Sequence, residues 1–448
     1  MAEATQAHVT NQYLSEYRKR LTTAAKAVEQ VKSCSNFCFG MGAGQPPALL
    51  QAVADRLRAG DLKDLKVYYK IAMEHAAKTI MAEDVLHAVE LCPLFLSAFD
   101  RQIIKAQQGK DRKILSYVPA YFYQIPRFLT EFNQMDSFVI TVSPMDKAGY
   151  FSLGTNNDYS STVLRSARWK VVEVNKNMPR VFGQSLVHVS EIDAIVENDA
   201  PLLELAQHGA QPEDDAIGKM VSDMIPDGAT IQMGIGGIPN AVARYLADRK
   251  DLGIHTELLC DGMIDLIKKG VVNGRKKNLH RFKTVFTLAL GSQALYDFIN
   301  DNPSMESYPS DYCNLPSVIA ANDNMISVNS AIEIDLYGQV NAESINHHEF
   351  SGTGGALDFM RGAFDSKGGK SILALYSTAK QGAISRIVPR LENNVTDPRM
   401  DTHYVVTEYG VTNLKGKSTK ERALALIELA HPKFREELIA KAKETTLI

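Results

Sequence analysis

A carboxylate stands in a run that otherwise reads as a buried strand: Leu252, Ile254, Leu258 and Leu259 flank His255-Thr256-Glu257. An acidic side chain is costly to desolvate there unless something compensates it. Upstream, Ala229 to Met233 reads as a strand, Gly234-Ile235-Gly236-Gly237 as a loop, and Pro239 onward as a helix with proline in its first turn. Strand, glycine loop and helix N-terminus together offer backbone N–H groups that suit an anion. In a right-handed βαβ unit the two strands are parallel, so their carboxyl ends share one sheet edge and Glu257 is expected near that loop. A second glycine loop, Ser351-Gly352-Thr353-Gly354-Gly355, precedes a helical stretch that holds Arg361. A nucleophile flanked by two sets of backbone donors is the equipment of acyl transfer. No G-x-S-x-G elbow is present, which makes the carboxylate the best nucleophile candidate. A plainer reading of Glu257 stays open, pairing with a lysine or arginine or emergence into solvent, and on this segment alone it is as good as function. A ribose contact beyond a glycine loop is weaker, because GIGGIP lacks the third glycine of G-x-G-x-x-G.

Elements that would position these residues follow a simple alternation. NFCFGMG, ALLQAVADRLRA, KVYYKIAM, KILSYVP, FVITVSP and WKVVEV alternate strand-like with helical runs, and the pattern restarts after HGAQPEDDA. The expected fold is α/β: two similar open domains with mainly parallel sheets, 1–205 and 206–448, and an active site in the cleft between them. The length of 448 residues fits two cores. A net charge of -3 gives no general attraction for nucleic acid or an anionic membrane. MAEATQAHVT has no secretory pattern and no run is apolar enough to span a bilayer, so a cytoplasmic location is the default expectation. Five scattered cysteines argue against a disulfide framework, and Cys34 and Cys38 lack a matching pair for a metal.

GIGGIPNAV, GIHTELLCDG, NSAIEIDLYGQVNAESI, SGTGGALDFMRGA, STAKQGAISRIVPRL and VVTEYGVTNLKGKSTKERA, with VSPMDKAGYFSLGTN earlier, resemble the acetyl-CoA hydrolase/CoA-transferase family. This is a class I CoA-transferase group that includes 4-hydroxybutyrate and butyrate:acetate enzymes. The resemblance implies that Glu257 is the catalytic glutamate, that the backbone N–H groups of Ile235 and Gly355 form the oxyanion hole, and that Asn314 assists. It places CoA along the second half, near Gly234, Gly236, Gly237, Gly352, Gly354 and Lys380. It implies ping-pong transfer through a glutamyl-CoA thioester, with no tightly bound cofactor and the CoA thioester as substrate. The implied partners are an acyl-CoA and a small carboxylic acid, in a homodimer or higher homo-oligomer. A hydrolase using the same glutamate and a non-catalytic CoA-binding module are the competing classes.

For the acid, the expected candidates are 4-hydroxybutyrate, butyrate, succinate or itaconate. Where many relatives resemble G-E-P this chain has Gly44-Gln45-Pro46, and Met41 and Glu74 stand where smaller or neutral residues are common, which resembles the itaconate and succinate subgroup. Met41, Gln45 and Glu74 are therefore expected at the acid. The plainer readings are core filling for Met41 and a solvated charge for Glu74. Arg127 and Lys70 are candidate cations for a distal carboxylate.

Overall fold

The computed structural model describes residues 12–205, 209 and 211–448. The chain divides into two compact units that are not contiguous in sequence. The first takes the described residues through Ala120, then Gln124–Leu205 and Thr287–Asp311; the second takes Tyr121–Tyr123, the described residues after Leu205 through Phe286, and Tyr312–Ile448. An expected single division near 205 makes no provision for these two excursions, because hydrophobic periodicity reports elements and not the unit they join.

The first unit is built on six parallel strands: β1 (Asn36–Phe39), β2 (Leu65–Tyr69), β3 (Val89–Pro93), β4 (Ser137–Val142), β5 (Trp169–Val174) and β6 (Ala194–Glu197). Their order is β3-β2-β1-β4-β5-β6. Every residue of β4 is buried, as a strand covered on both faces requires. Between β1 and β2, helix Pro47–Arg58 begins on a proline, ends in a basic turn, and buries Leu49, Leu50, Val53, Ala54 and Leu57. Of these, Leu49, Leu50, Val53 and Leu57 join Phe37, Phe39, Val67 and Tyr69 in one core.

The second unit repeats the logic with β7 (Thr230–Met233), β8 (Gly253–Leu259), β9 (Met325–Asn329), β10 (Lys370–Ala374), β11 (Tyr404–Thr407) and β12 (Gly410–Asn413). They lie side by side as β12-β11-β10-β9-β7-β8, parallel except for the β11–β12 hairpin at the end. Helices Thr419–Leu429 and Pro432–Glu444 pack Ala423, Leu426, Leu438 and Ala442 into a core with Leu373 and Val405. In both units the winding direction reverses beside the first strand, between β1 and β4 and between β7 and β9. Such a reversal opens a crevice at the strands' carboxyl ends. The loops leaving β1 and β7, Gly40 to Gln45 and Gly234 to Gly237, start at those points. No described helix is long and apolar enough to cross a membrane.

Candidate active site around Glu257

Strand β8 buries its first four residues and leaves Glu257 and Leu258 half-buried. The carboxylate therefore sits where the strand begins to emerge, with His255 and Thr256 fully buried behind it. A ring N–H of His255, at Nε2, donates to the carbonyl of Cys313 at 2.8 Å. Burial, reinforced by the charge of Lys277, drops the His255 pKa to about 3, so the imidazole is neutral. Lys277 donates to the carbonyls of Ile254 at 2.8 Å and Lys283 at 2.9 Å. The Cys313 thiol donates to the carbonyl of Thr256 at 3.2 Å, and burial followed by the Glu257 charge pushes that thiol up. Two bonds thus stitch Cys313 to β8, and the next residue, Asn314, is delivered to the carboxylate. Its Nδ2 donates to Glu257 Oε2 at 2.9 Å.

Gly355 closes the other side. A Cβ built there would overlap Glu257 Oε2 and Asn314 Nδ2, so any residue but glycine would displace one of those two groups. Its φ of -104° is ordinary, and the requirement is space rather than conformation. Gly355 is the N-cap of helix Ala356–Asp365, and the N–H groups ahead of the first helical bond face outward from the helix end. In that first turn Asp358 is buried, with Oδ2 accepting from Asn314 Nδ2 at 3.4 Å and from the Tyr123 backbone N–H at 3.2 Å. One turn on, Arg361 grips Asp401 with two bonds of 3.2 and 3.0 Å.

Residues 6–204 match the acetyl-CoA hydrolase/transferase N-terminal domain and residues 291–442 the C-terminal domain of the same name. The chain belongs to the acetyl-CoA hydrolase/transferase family. Among its relatives, the 4-hydroxybutyrate coenzyme A transferase of Clostridium kluyveri is 43% identical, aligned over 96% of this chain and 98% of its own. The succinyl-CoA:cyclohexane-1-carboxylate CoA transferase of Geobacter metallireducens is 41% identical over 97% and 98%. The crystal structure of RipA from Yersinia pestis is 49% identical, with a TM-score of 0.93 covering 97% of this chain and 100% of that one. With such relatives over nearly its full length, the chain is an enzyme of the CoA-transferase class.

The other residues implied by family resemblance lie in varied settings. A Cβ at Gly234 or Gly236 would meet nothing within 4 Å, and the Ile235 side chain is 47% exposed, so that loop is open. Gly237 instead abuts the carboxylate of Asp214, which also accepts from Tyr376 Oη and the Gln211 backbone N–H at 2.7 Å each. Gly352 and Gly354 adopt positive φ of 150° and 56° leading into Gly355. Lys380 is exposed at the turn joining strands Thr378–Ala379 and Ile384–Ser385. In the first unit Met41 is fully buried. Gln45 is buried too, and its amide is spent on backbone: it donates to Ile71 O and accepts from the N–H groups of Met73 and Ala76, at 3.2, 3.3 and 3.2 Å. Glu74 is an exposed helix charge paired with Lys78 one turn on, and Arg127 pairs likewise with Glu131 at 2.8 Å. Lys70 is buried at the end of β2, its Nζ 5.7 Å from the Phe95 ring centroid. Cys38 is buried in β1 and Cys34 exposed; among the described residues no group of acidic, histidine and cysteine side chains is placed to hold a metal. Asp358 and Cys313 escape sequence reasoning. Asp358 stands inside the quoted GTGGALDF run, and its acidic side chain three positions past Gly355 is the usual mark of a helix first turn.

Proposed function

We propose that this CoA-transferase moves CoA between an acyl-CoA and a free carboxylate by a ping-pong relay on Glu257. The Glu257 carboxylate attacks the thioester carbonyl and CoA thiolate leaves, giving an acyl-glutamyl anhydride. The thiolate then attacks Cδ of Glu257, the first acid departs as its carboxylate, and a glutamyl-CoA thioester remains. An acceptor carboxylate attacks that thioester, and the steps run in reverse to release the new acyl-CoA. The observation that carries this reading is the donor on Oε2. Each attack on Cδ turns the remaining glutamyl oxygen into an oxyanion, and Asn314 Nδ2 is 2.9 Å from Oε2 in the resting carboxylate. The Gly355 N–H, on backbone pressed against the same oxygen, is proposed as one backbone donor and the open Gly234 to Gly236 loop with Ile235 as the second donor set, with Lys380 and Gly352 to Gly354 toward CoA.

The proposed acids are short-chain or C4–C5: 4-hydroxybutyrate, butyrate, succinate or itaconate, with Met41 and Glu74 near the acid. Gln45 is assigned to the support of that loop rather than to direct contact, since its amide already serves three backbone groups. The test is Glu257→Gln assayed with succinyl-CoA, acetyl-CoA and butyryl-CoA against a panel of carboxylates. Transfer is abolished while acyl-CoA still binds; substantial residual turnover sinks the relay. Release of CoA by the unmodified enzyme with no acceptor present, as fast as with one, indicates hydrolysis instead.

A further inference from the structure

Asn314 is held from two sides. Its Nδ2 faces Glu257 Oε2 at 2.9 Å and Asp358 Oδ2 at 3.4 Å. An amide carries donors on one end and an acceptor on the other, while an ionised carboxylate only accepts. Turned over, Asn314 would aim its Oδ1 at two carboxylates. We propose that Asp358 is a positioning residue that locks the Asn314 amide with its N–H groups toward Glu257 through every covalent state of the relay. This rests on the Glu257 reading above.

Glu257 alone does not suffice for that lock. As a free carboxylate it attracts the amide N–H through a charge-assisted bond, about twice as strong as a neutral one. Once acylated, as anhydride or thioester, it is a neutral carbonyl and most of that pull is gone. Those are the states in which the N–H groups must be in place. CoA thiolate attacks Cδ of the anhydride and expels the first acid; the acceptor attacks Cδ of the thioester and expels CoA thiolate. In both, the oxyanion forms on the glutamyl oxygen that Asn314 faces. Asp358 takes part in no bond change and remains an acceptor throughout.

Its own setting suits that duty. Asp358 is 2% exposed and lies in the first turn of a ten-residue helix, whose dipole favours an anion at that end. Its Oδ2 also accepts the Tyr123 N–H at 3.2 Å, which fixes the carboxylate independently of Asn314. A second carboxylate close to an oxyanion would by itself oppose the reaction; the amide between them converts it into a support.

A double-mutant cycle on the intact enzyme tests this, with Asn314→Ala, Asp358→Asn and the pair, reading the single-turnover rate of enzyme–CoA thioester formation by intact mass. Asp358→Asn alone lowers that rate at least about thirtyfold with acyl-CoA affinity within about threefold, and on the Asn314→Ala background it lowers it less than about threefold further. Asp358→Glu, which keeps an acceptor-only group, recovers part of the loss; Asp358→Ala, which removes the acceptor, replaces Asp358→Asn in the cycle if that variant does not fold, with the same non-additivity required. A near-normal rate in Asp358→Asn, or losses that multiply, overturns the role of Asp358 while leaving the relay intact. A normal enzyme that never forms the thioester overturns both.

Discussion

Two glycine loops occupy equivalent places in the two units, and they behave in opposite ways. The loop after β1 is shut. Met41, Gly42, Ala43, Gly44 and Gln45 are all buried, Gly40 and Gly44 close on each other, and Asn156 packs against Gly42 and Gly44. The loop after β7 is open at Gly234 and Gly236, with Ile235 turned outward. The same strand–glycine–proline grammar therefore serves two ends: in one unit glycine lets backbone pack on backbone, and in the other it stands in open space. The loop ending at Gly355 is a third case, in which glycine makes room for the Glu257 carboxylate and the Asn314 amide.

The contrast can be broken at each loop. The largest effect is expected from Gly355→Ala, whose Cβ displaces Glu257 or Asn314: transfer falls about a hundredfold or more with folding retained, measured as kcat/KM beside a thermal melt. Gly40→Ala comes next and acts on stability. Its Cβ would lie 2.5 Å from Gly44 O and 2.6 Å from Ile140 Cγ1, a backbone clash worth about 3 kcal/mol in urea unfolding.

Titration separates the regions further. Behind Glu257, His255 has a folded pKa near 3 against about 6.5 unfolded, so below pH 6.5 the unfolded chain takes up a proton that the folded unit refuses, and stability is lost as pH falls. From pH 6.5 to 5 that amounts to about 2 kcal/mol, and His255→Gln should remove that part of the slope in denaturant curves at the two pH values. Asp158, bonded to the Asn156 that packs on the closed loop, has the opposite sign: burial raises it to about 6, so its contribution is present at low pH and lost as pH rises through 6. The smallest effect is Gly234→Ala, under about 0.5 kcal/mol in stability, since its Cβ meets no atom within 4 Å. A large loss of transfer there, with stability unchanged, would place a ligand against that backbone.

Much of this was legible in the sequence, for identifiable reasons. The α/β class followed from alternation, and the family from long motif runs, because both are written in local order. Glu257 drew notice through its apolar neighbours, a purely local contrast. The partners of Glu257 were less accessible. Asn314 came only through resemblance, since its delivery depends on Cys313 bonding across to β8, 57 residues away in the chain. Asp358 was in plain view within GTGGALDF, yet its relation to Asn314 exists only once the helix docks. Gln45 was expected at the acid, but a buried amide beside three backbone groups was bound to satisfy them first. Glu74 illustrates the reverse: its plainer reading as a solvated charge is what the structure contains, with Lys78 one turn on as its partner.

The central claim is that Glu257 carries CoA covalently between the two halves of the reaction. It is tested most directly by mixing enzyme with acyl-CoA in the absence of acceptor, quenching in acid, and mapping the peptide that gains the mass of CoA less one water. One CoA per chain is expected on the peptide containing Glu257, lost on addition of acceptor carboxylate and reduced by borohydride to the alcohol. Rapid transfer with no CoA attached to Glu257 at any time would contradict it.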